Sequence, residues 1–238
     1  MPAVATSTAA PAEPSSFEVM KQKYLLCYNA MSCGAWAYVT YKVAMNGYAN
    51  HKENYEDIGE YLLVTQSFAV LEILHALVGL VRSPVLTTSL QVASRLIMVW
   101  LVCDAFPVVT SHIAYSTMAI AWGITEIIRY AYYCMNMVNM DNDYFWFVTF
   151  CRYHFFYILY PVGAYSEYLL IQAAHEIAKK DPAQQQLATA LNIFNWIWPP
   201  GFFVMYTHMQ GQRRKFILSG KLDEKEAREG AGAEKKDT

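Results

Sequence analysis

Six long apolar runs dominate this sequence and leave little room for a water-soluble fold. Each spans at least about twenty residues, enough for a helix to cross the hydrocarbon core of a bilayer. They cover about residues 24–45, 61–81, 88–108, 112–135, 144–171 and 187–207. Only 16% of the 238 residues are charged, whereas 15% are aromatic, as is typical of chains with interfacial aromatic belts. The sequence therefore predicts an all-α polytopic membrane protein, a bundle of six transmembrane helices.

The segments around these runs predict three parts of the chain. Residues 1–20 are rich in Ala, Pro, Ser and Thr and lack the basic start of a secretory signal, so we expect a disordered cytosolic tail. Residues 21–210 form the predicted membrane domain, and residues 211–238 form a charged cytosolic tail. Basic residues lie directly before the first run and directly after the last, which favours the cytosol for both termini.

The last four residues match a known address for the endoplasmic reticulum. They read Lys235-Lys236-Asp237-Thr238, with lysines third and fourth from the end, as in a di-lysine retrieval signal. Such a signal is read by a receptor and is not a membrane anchor. A charged, solvated chain end is the alternative interpretation. On a multi-pass protein with a cytosolic C-terminus, the pattern predicts residence in the endoplasmic reticulum membrane.

Several classes of function are disfavoured by residue type. The net charge of −2 gives no reason to expect a nucleic-acid partner. The five cysteines lie in apolar runs without a C-x-x-C pair, and no C-x5-R element provides a phosphatase nucleophile. The six histidines form none of the spaced boxes of membrane iron enzymes, and no glycine-rich nucleotide motif is present. We therefore expect no metal and no cofactor.

The fifth run carries a phenol and a carboxylate where a membrane helix would normally be apolar. At about 100° per residue, Tyr160 and Glu167 lie within roughly 20° of each other, two turns apart. A charged side chain inside a bilayer costs at least about 2.5–3.5 kcal/mol, so an intramembrane Glu indicates a function. A Glu can remove a proton from carbon and a Tyr can donate one to a leaving oxygen. The pair is separated by about 10.5 Å of axial rise, and we expect Pro161 and Gly163 to bend the helix and close part of that gap.

Six further polar side chains lie within the predicted helices, and two interpretations of them stay open. They are Glu72, Gln91, Arg95, Glu126, Arg129 and Arg152. In one interpretation they pair with one another and hold the helices together, as the i,i+3 spacing of Glu126 and Arg129 allows. In the other, the arginines receive an anionic group or orient a carbonyl of a substrate.

These residues occur in blocks that resemble one enzyme family. In chain order, the blocks are Leu71 through Gly79, Gln91 through Arg95, Trp122 through Tyr130, and Leu159-Tyr160-Pro161-Val162-Gly163 followed by Glu167. Four blocks in this order resemble the very-long-chain (3R)-3-hydroxyacyl-CoA dehydratases, also called the protein-tyrosine-phosphatase-like or PASTICCINO2-type proteins. The resemblance covers about residues 24–210. One departure is Ala76, where many members carry a Cys, and this further weakens a phosphatase interpretation.

The resemblance implies a six-span enzyme of the endoplasmic reticulum that converts 3-hydroxyacyl-CoA to trans-2-enoyl-CoA during fatty-acid elongation. It implies Tyr160 and Glu167 as the catalytic pair and the six other polar residues as supporting or substrate-orienting groups. The implied partners are the 3-hydroxyacyl-CoA substrate, the lipid bilayer and the other elongation enzymes, namely the condensing enzyme, the ketoacyl reductase and the enoyl reductase.

We expect Glu167 to take the C2 proton and Tyr160 to protonate the departing 3-hydroxyl, although the two roles can be exchanged. A non-catalytic membrane scaffold is a second possible class, but a scaffold has no need of both groups. A transporter with a charged relay is a third class. Inverted halves or paired broken helices would support a transporter, and the sequence shows neither.

Overall fold

A computed structural model gives the architecture of residues 15–234, with side chains described as far as residue 220. All regular structure in this range is helical, which confirms the predicted all-α class. The α-helices are α1 Ser16–Asn46, α2 Asn54–Phe68, α3 Val70–Leu77, α4 Val85–Leu96, α5 Ile113–Met137, α6 Asp143–His154, α7 Phe156–Ala178 and α8 Gln185–Glu234.

The helices join into six continuous stretches within residues 15–234. Ala69 keeps helical dihedrals between α2 and α3, and Phe155 does so between α6 and α7. The π-helical segment Ile97–Asp104 extends α4. By length and composition alone, two of the described helical stretches are long and apolar enough to cross a membrane, namely His51–Leu77 and Val85–Asp104.

Helix α5 is the centre of the bundle. It packs against α1 on one side and α7 on the other, and α8 packs on the outer side of α7. The large apolar side chains of α5 are buried or half-buried, whereas the outer helices expose many of theirs, such as Met31, Leu86, Ile158 and Trp196. Polar side chains on α5 are therefore placed in the interior of the bundle.

Two helix starts differ from the sequence-based boundaries. Helix α1 begins at Ser16 because the Ser15 hydroxyl caps it by accepting from the Glu18 amide, 3.2 Å away. The last residues of the predicted tail 1–20 are therefore helical, and residues 1–14 lie outside the described range. The second stretch begins about ten residues before the predicted run, because the buried Asn54 amide donates to Ser116 Oγ at 2.7 Å. This bond keeps a polar segment within the bundle.

Prolines interrupt neither of the last two stretches. Helix α7 continues through Pro161, so the expected bend that would shorten the distance from Tyr160 to Glu167 is not a break in the helix. Helix α8 continues through Pro199 and Pro200 and reaches Glu234, so most of the predicted tail 211–238 is helical. The di-lysine pattern at residues 235–236 lies outside the described range.

Candidate active site

One face of α5 supplies the polar core of the bundle. Trp122, Glu126 and Tyr130 follow each other at four-residue spacing, which places them one above the other on a helix, and Arg129 lies beside them. Trp122, Glu126 and Tyr130 are all buried. The central position of α5 therefore brings an indole, a carboxylate, a phenol and a guanidinium into the interior together.

Arg129 is held by two carboxylates. Its Nη1 and Nη2 donate to the two carboxylate oxygens of Glu72 at 2.7 Å each, a bidentate pair. Its Nε donates to Glu126 Oε2 at 2.7 Å. Arg95 donates to the other oxygen of Glu126, and the Tyr130 hydroxyl donates to Glu72. We call Glu72, Arg95, Glu126, Arg129 and Tyr130 the ion cluster.

The ion cluster joins α3, α4 and α5 and carries equal numbers of positive and negative charges. Buried charges are tolerated when they are paired and hydrogen-bonded, and both conditions are met here. The structure thus brings Glu72, Arg95, Glu126 and Arg129 together as mutual partners. All three guanidinium nitrogens of Arg129 donate to carboxylates, so an incoming phosphate would have to displace a carboxylate to bind Arg129. Among the described residues, Arg95 donates to a carboxylate through Nη1 alone.

Glu167, on α7, lies next to the ion cluster. Only 7% of the residue is exposed, and its Oε1 accepts a 2.6 Å hydrogen bond from the indole Nε1 of Trp122. The guanidinium carbon of Arg95 lies 4.6 Å from the centre of the Trp122 ring. Trp122 therefore stands between Glu167 and the ion cluster and contacts both.

Tyr160 lies two turns before Glu167 on α7 and is half-buried. Its ring stacks on Phe202 and Tyr206 of α8, with centroid distances of 5.3 and 6.1 Å. Its hydroxyl forms no hydrogen bond with another described residue. The arrangement provides an uncommitted phenol and a buried carboxylate along one helix face.

Two of the sequence-predicted residues lie away from this group. Gln91 is exposed on α4, one turn before Arg95, and its side-chain amide bonds to no described residue. Arg152 stacks on the rings of Tyr132 and Tyr133, with its guanidinium carbon 4.6 and 4.9 Å from their centres. Arg152 thus contacts α5 and does not join Tyr160 and Glu167, although it precedes them in the same helical stretch.

Trp122 and Tyr130 are the polar contacts that sequence reasoning missed. Both lie within a block that the sequence analysis singled out, and both share a helical face with Glu126. The four-residue spacing of Trp122, Glu126 and Tyr130 is the sequence feature that could have indicated their shared face. An indole or phenol in an apolar run is more often packed for its ring, so the donor role becomes visible only when the partner carboxylates are in place.

Comparison with known proteins gives a consistent family match. Residues 66–219 match the family model described as "Protein tyrosine phosphatase-like protein, PTPLA". The chain is 40% identical over 207 residues to a Schizosaccharomyces pombe protein named "Probable very-long-chain (3R)-3-hydroxyacyl-CoA dehydratase", covering 83% of this chain and 94% of that one.

Two further relatives carry names of the same kind. A very-long-chain (3R)-3-hydroxyacyl-CoA dehydratase of Caenorhabditis elegans is 35% identical, covering 84% of this chain and 96% of the relative. PASTICCINO 2 of Arabidopsis thaliana, named as the same dehydratase, is 36% identical, with 86% and 97% covered. No solved structure matches the protein significantly.

Proposed function

The chain belongs to the protein tyrosine phosphatase-like (PTPLA) family, and we propose that it catalyses the reaction for which its matched relatives are named. It is a hydro-lyase that removes water from very-long-chain (3R)-3-hydroxyacyl-CoA during fatty-acid elongation and leaves trans-2-enoyl-CoA. The observation that carries this proposal is the buried Glu167 carboxylate on the same helix face as the free Tyr160 hydroxyl.

The mechanism divides proton removal and proton delivery between these two groups. The Glu167 carboxylate takes a proton from C2, and the electron pair of that C–H bond forms the C2–C3 double bond. The C3–O bond breaks as the Tyr160 hydroxyl protonates the departing oxygen, which leaves as water. The proton on Glu167 then returns to the Tyr160 phenolate, so both groups regain their starting state.

The separation of Tyr160 and Glu167 is compatible with this division of labour. An acid and a base that act on adjacent substrate atoms do not contact each other. Each lies one hydrogen-bond length, about 2.6–3.2 Å, from its own substrate atom. Continuous helix between the two residues separates their backbones by about 10.5 Å along the axis. Their long side chains narrow the gap between the reacting groups, and the C2–C3 unit of the substrate lies in what remains of it. The opposite assignment of roles uses the same geometry.

The outer surface supports insertion of the whole bundle into a membrane. Every helical stretch except the central α5 exposes large apolar side chains, including Met31 at 71%, Leu86 at 73% and Trp196 at 78%. A water-soluble monomer rarely exposes apolar surface of this extent. All six stretches therefore cross the bilayer, residues 21–210 form the membrane domain, and lipid covers its sides.

Alternation of the six spans sets the side from which the substrate enters. With both termini in the cytosol, the connections 78–84 and 138–142 are cytosolic. Arg129 lies eight residues from the end of α5, about 12 Å below that surface. The ion cluster is thus nearer the cytosolic side, where CoA remains. Tyr160 lies near the middle of its stretch, between Asp143 and Ala178, at the depth where the acyl chain lies among the helices. Exposed basic residues at this side, such as Lys23 and Arg82, lie where they can meet the CoA phosphates.

The endoplasmic reticulum is the proposed location, because fatty-acid elongation on CoA requires the substrate to pass between membrane enzymes. The condensing enzyme and the ketoacyl reductase supply the 3-hydroxyacyl-CoA, and the enoyl reductase consumes the product. Lys235 and Lys236 provide the retrieval signal in this proposal. Exchange of both lysines for serine should move the protein out of the endoplasmic reticulum, which microscopy of a tagged full chain detects.

The activity is tested with purified full-length protein in lipid nanodiscs. We expect a long-chain (3R)-3-hydroxyacyl-CoA to yield the trans-2-enoyl-CoA, with loss of one water detected by mass spectrometry, and the (3S) isomer to yield little product. Addition of the enoyl-CoA alone should give the (3R) hydroxy compound, because an enzyme catalyses both directions. Absence of turnover in either direction would leave the scaffold interpretation in place of the enzyme.

A further inference from the structure

Trp122 holds one oxygen of the Glu167 carboxylate and leaves the other free. Its indole Nε1 donates to Glu167 Oε1 at 2.6 Å, and both side chains are buried. Glu167 Oε2 accepts no hydrogen bond from another described residue and is not fully enclosed. We infer that Trp122 is a positioning residue for the dehydration, which orients Glu167 so that its free oxygen faces C2 of the substrate. This inference rests on the proposed function.

Three neighbours border the indole. Trp36 of α1 meets it edge to face, with ring centroids 6.4 Å apart. Arg95 of α4 lies over one face of the ring. On the α7 side stands Gly163, where an added Cβ would lie 3.7 and 3.9 Å from Trp122 Cδ1 and Nε1. These are ordinary van der Waals distances, so the donating edge of the indole lies directly against α7 one turn before Glu167.

Arg95 links the ion cluster to this hydrogen bond. A guanidinium over an aromatic face is attracted to its electron density, and it withdraws that density from the ring, which makes the indole N–H a stronger donor. Arg95 is itself held by Glu126. The ion cluster therefore acts on Glu167 through Trp122, although its carboxylates and guanidinium groups do not bond to Glu167. This gives the charged residues of α4 and α5 a route to the reacting atoms.

Two buried tryptophans provide a matched pair of variants. Trp122 and Trp36 are 3% and 2% exposed and pack against each other, but of the two only Trp122 donates to a carboxylate among the described residues. Trp122→Phe and Trp36→Phe remove similar ring volume from the same place. Trp36→Phe keeps an aromatic ring against Trp122 and leaves the bond from Trp122 to Glu167 intact. We expect Trp122→Phe to lower kcat about ten- to hundredfold, the effect of losing one hydrogen bond to a charged group. KM should stay within about threefold, and Trp36→Phe should change neither constant by more than about threefold.

Thermal stability in nanodiscs and a milder variant separate positioning from folding. Both variants should stay folded, and Trp122→Phe should lower the melting temperature more than Trp36→Phe, because it leaves the buried Glu167 Oε1 without a donor. Arg95→Lys keeps the indole and the charge beside Glu126 but removes the planar group from the ring face, and we expect a kcat loss of about three- to tenfold. The inference is overturned if Trp122→Phe and Arg95→Lys keep the kcat of Trp36→Phe, or if Trp122→Phe acts through KM alone.

Glu167→Gln is measured in the same assay. An inactive Glu167→Gln beside a Trp122→Phe that matches Trp36→Phe would overturn only the role of Trp122. A Glu167→Gln variant that turns over like the wild type would overturn the proposed pair and this inference with it.

Discussion

Replacing Arg129 with Gln should destabilise the bundle through the two carboxylates that it leaves behind. Three guanidinium nitrogens of Arg129 donate to Glu72 and Glu126 at 2.7 Å, and the Glu126 side chain is only 5% exposed. Removing one partner of a buried pair costs about 3–5 kcal/mol, because the remaining charge stays buried. Arg129 is 26% exposed and Arg95 still serves Glu126, so we expect the lower end, about 3 kcal/mol of unfolding free energy.

The assay is unfolding by sodium dodecyl sulfate in mixed micelles, followed by tryptophan fluorescence. Arg152→Gln is the control, because Arg152 contacts rings and no carboxylate among the described residues, and it should cost less than about 1 kcal/mol. The double variant Glu72→Gln with Arg129→Gln should lose about 1–3 kcal/mol less unfolding free energy than the two single variants lose together. An Arg129→Gln protein within about 1 kcal/mol of wild type, with additive behaviour in the double variant, would refute the pairing described here.

Two further substitutions test the packing around α5. Gly123→Ala should lower the melting temperature, because the new Cβ would lie 1.9 Å from Thr40 Oγ1 and overpacking costs about 1–3 kcal/mol. Adding Thr40→Ala to this variant should restore part of the loss. No recovery would show that α1 and α5 do not meet at these residues. Asn54→Ala removes the donor to Ser116 and the acceptor for Asn46. We expect the free energy of unfolding to fall by about 1–3 kcal/mol in the micelle titration. An unchanged unfolding midpoint would contradict burial of this polar segment.

Most of the fold follows from apolar run lengths, because each run must be helical to satisfy its backbone inside lipid. The sequence-based run ends fail where polar side chains find partners in the bundle. Asn54 is an example, since its amide is paired across to α5. Prolines do not mark helix ends here, because α7 and α8 stay helical through them. Local pattern therefore predicts that the helices exist better than it predicts where they end.

The site was only partly accessible from the sequence. The i,i+3 pair of Glu126 and Arg129 follows from helix geometry and is present at 2.7 Å. The bidentate bond from Arg129 to Glu72 joins residues 57 positions apart, so no local spacing could have indicated it. The role of Trp122 depends on which of six tryptophans faces Glu167. That choice is made by the packing of α5 against α7.

The measurement that tests the central claim most directly is turnover of a long-chain (3R)-3-hydroxyacyl-CoA by Tyr160→Phe and Glu167→Gln. Two variants of the same helix serve as matched controls, Tyr165→Phe and Glu176→Gln, since Tyr165 is 64% exposed and the Glu176 side chain is 56% exposed. Loss of a general acid or base lowers rates about 10²–10⁴-fold. We expect losses of this size in Tyr160→Phe and Glu167→Gln, with the controls within about twofold of wild type. Turnover within about tenfold of wild type in either site variant would contradict the account.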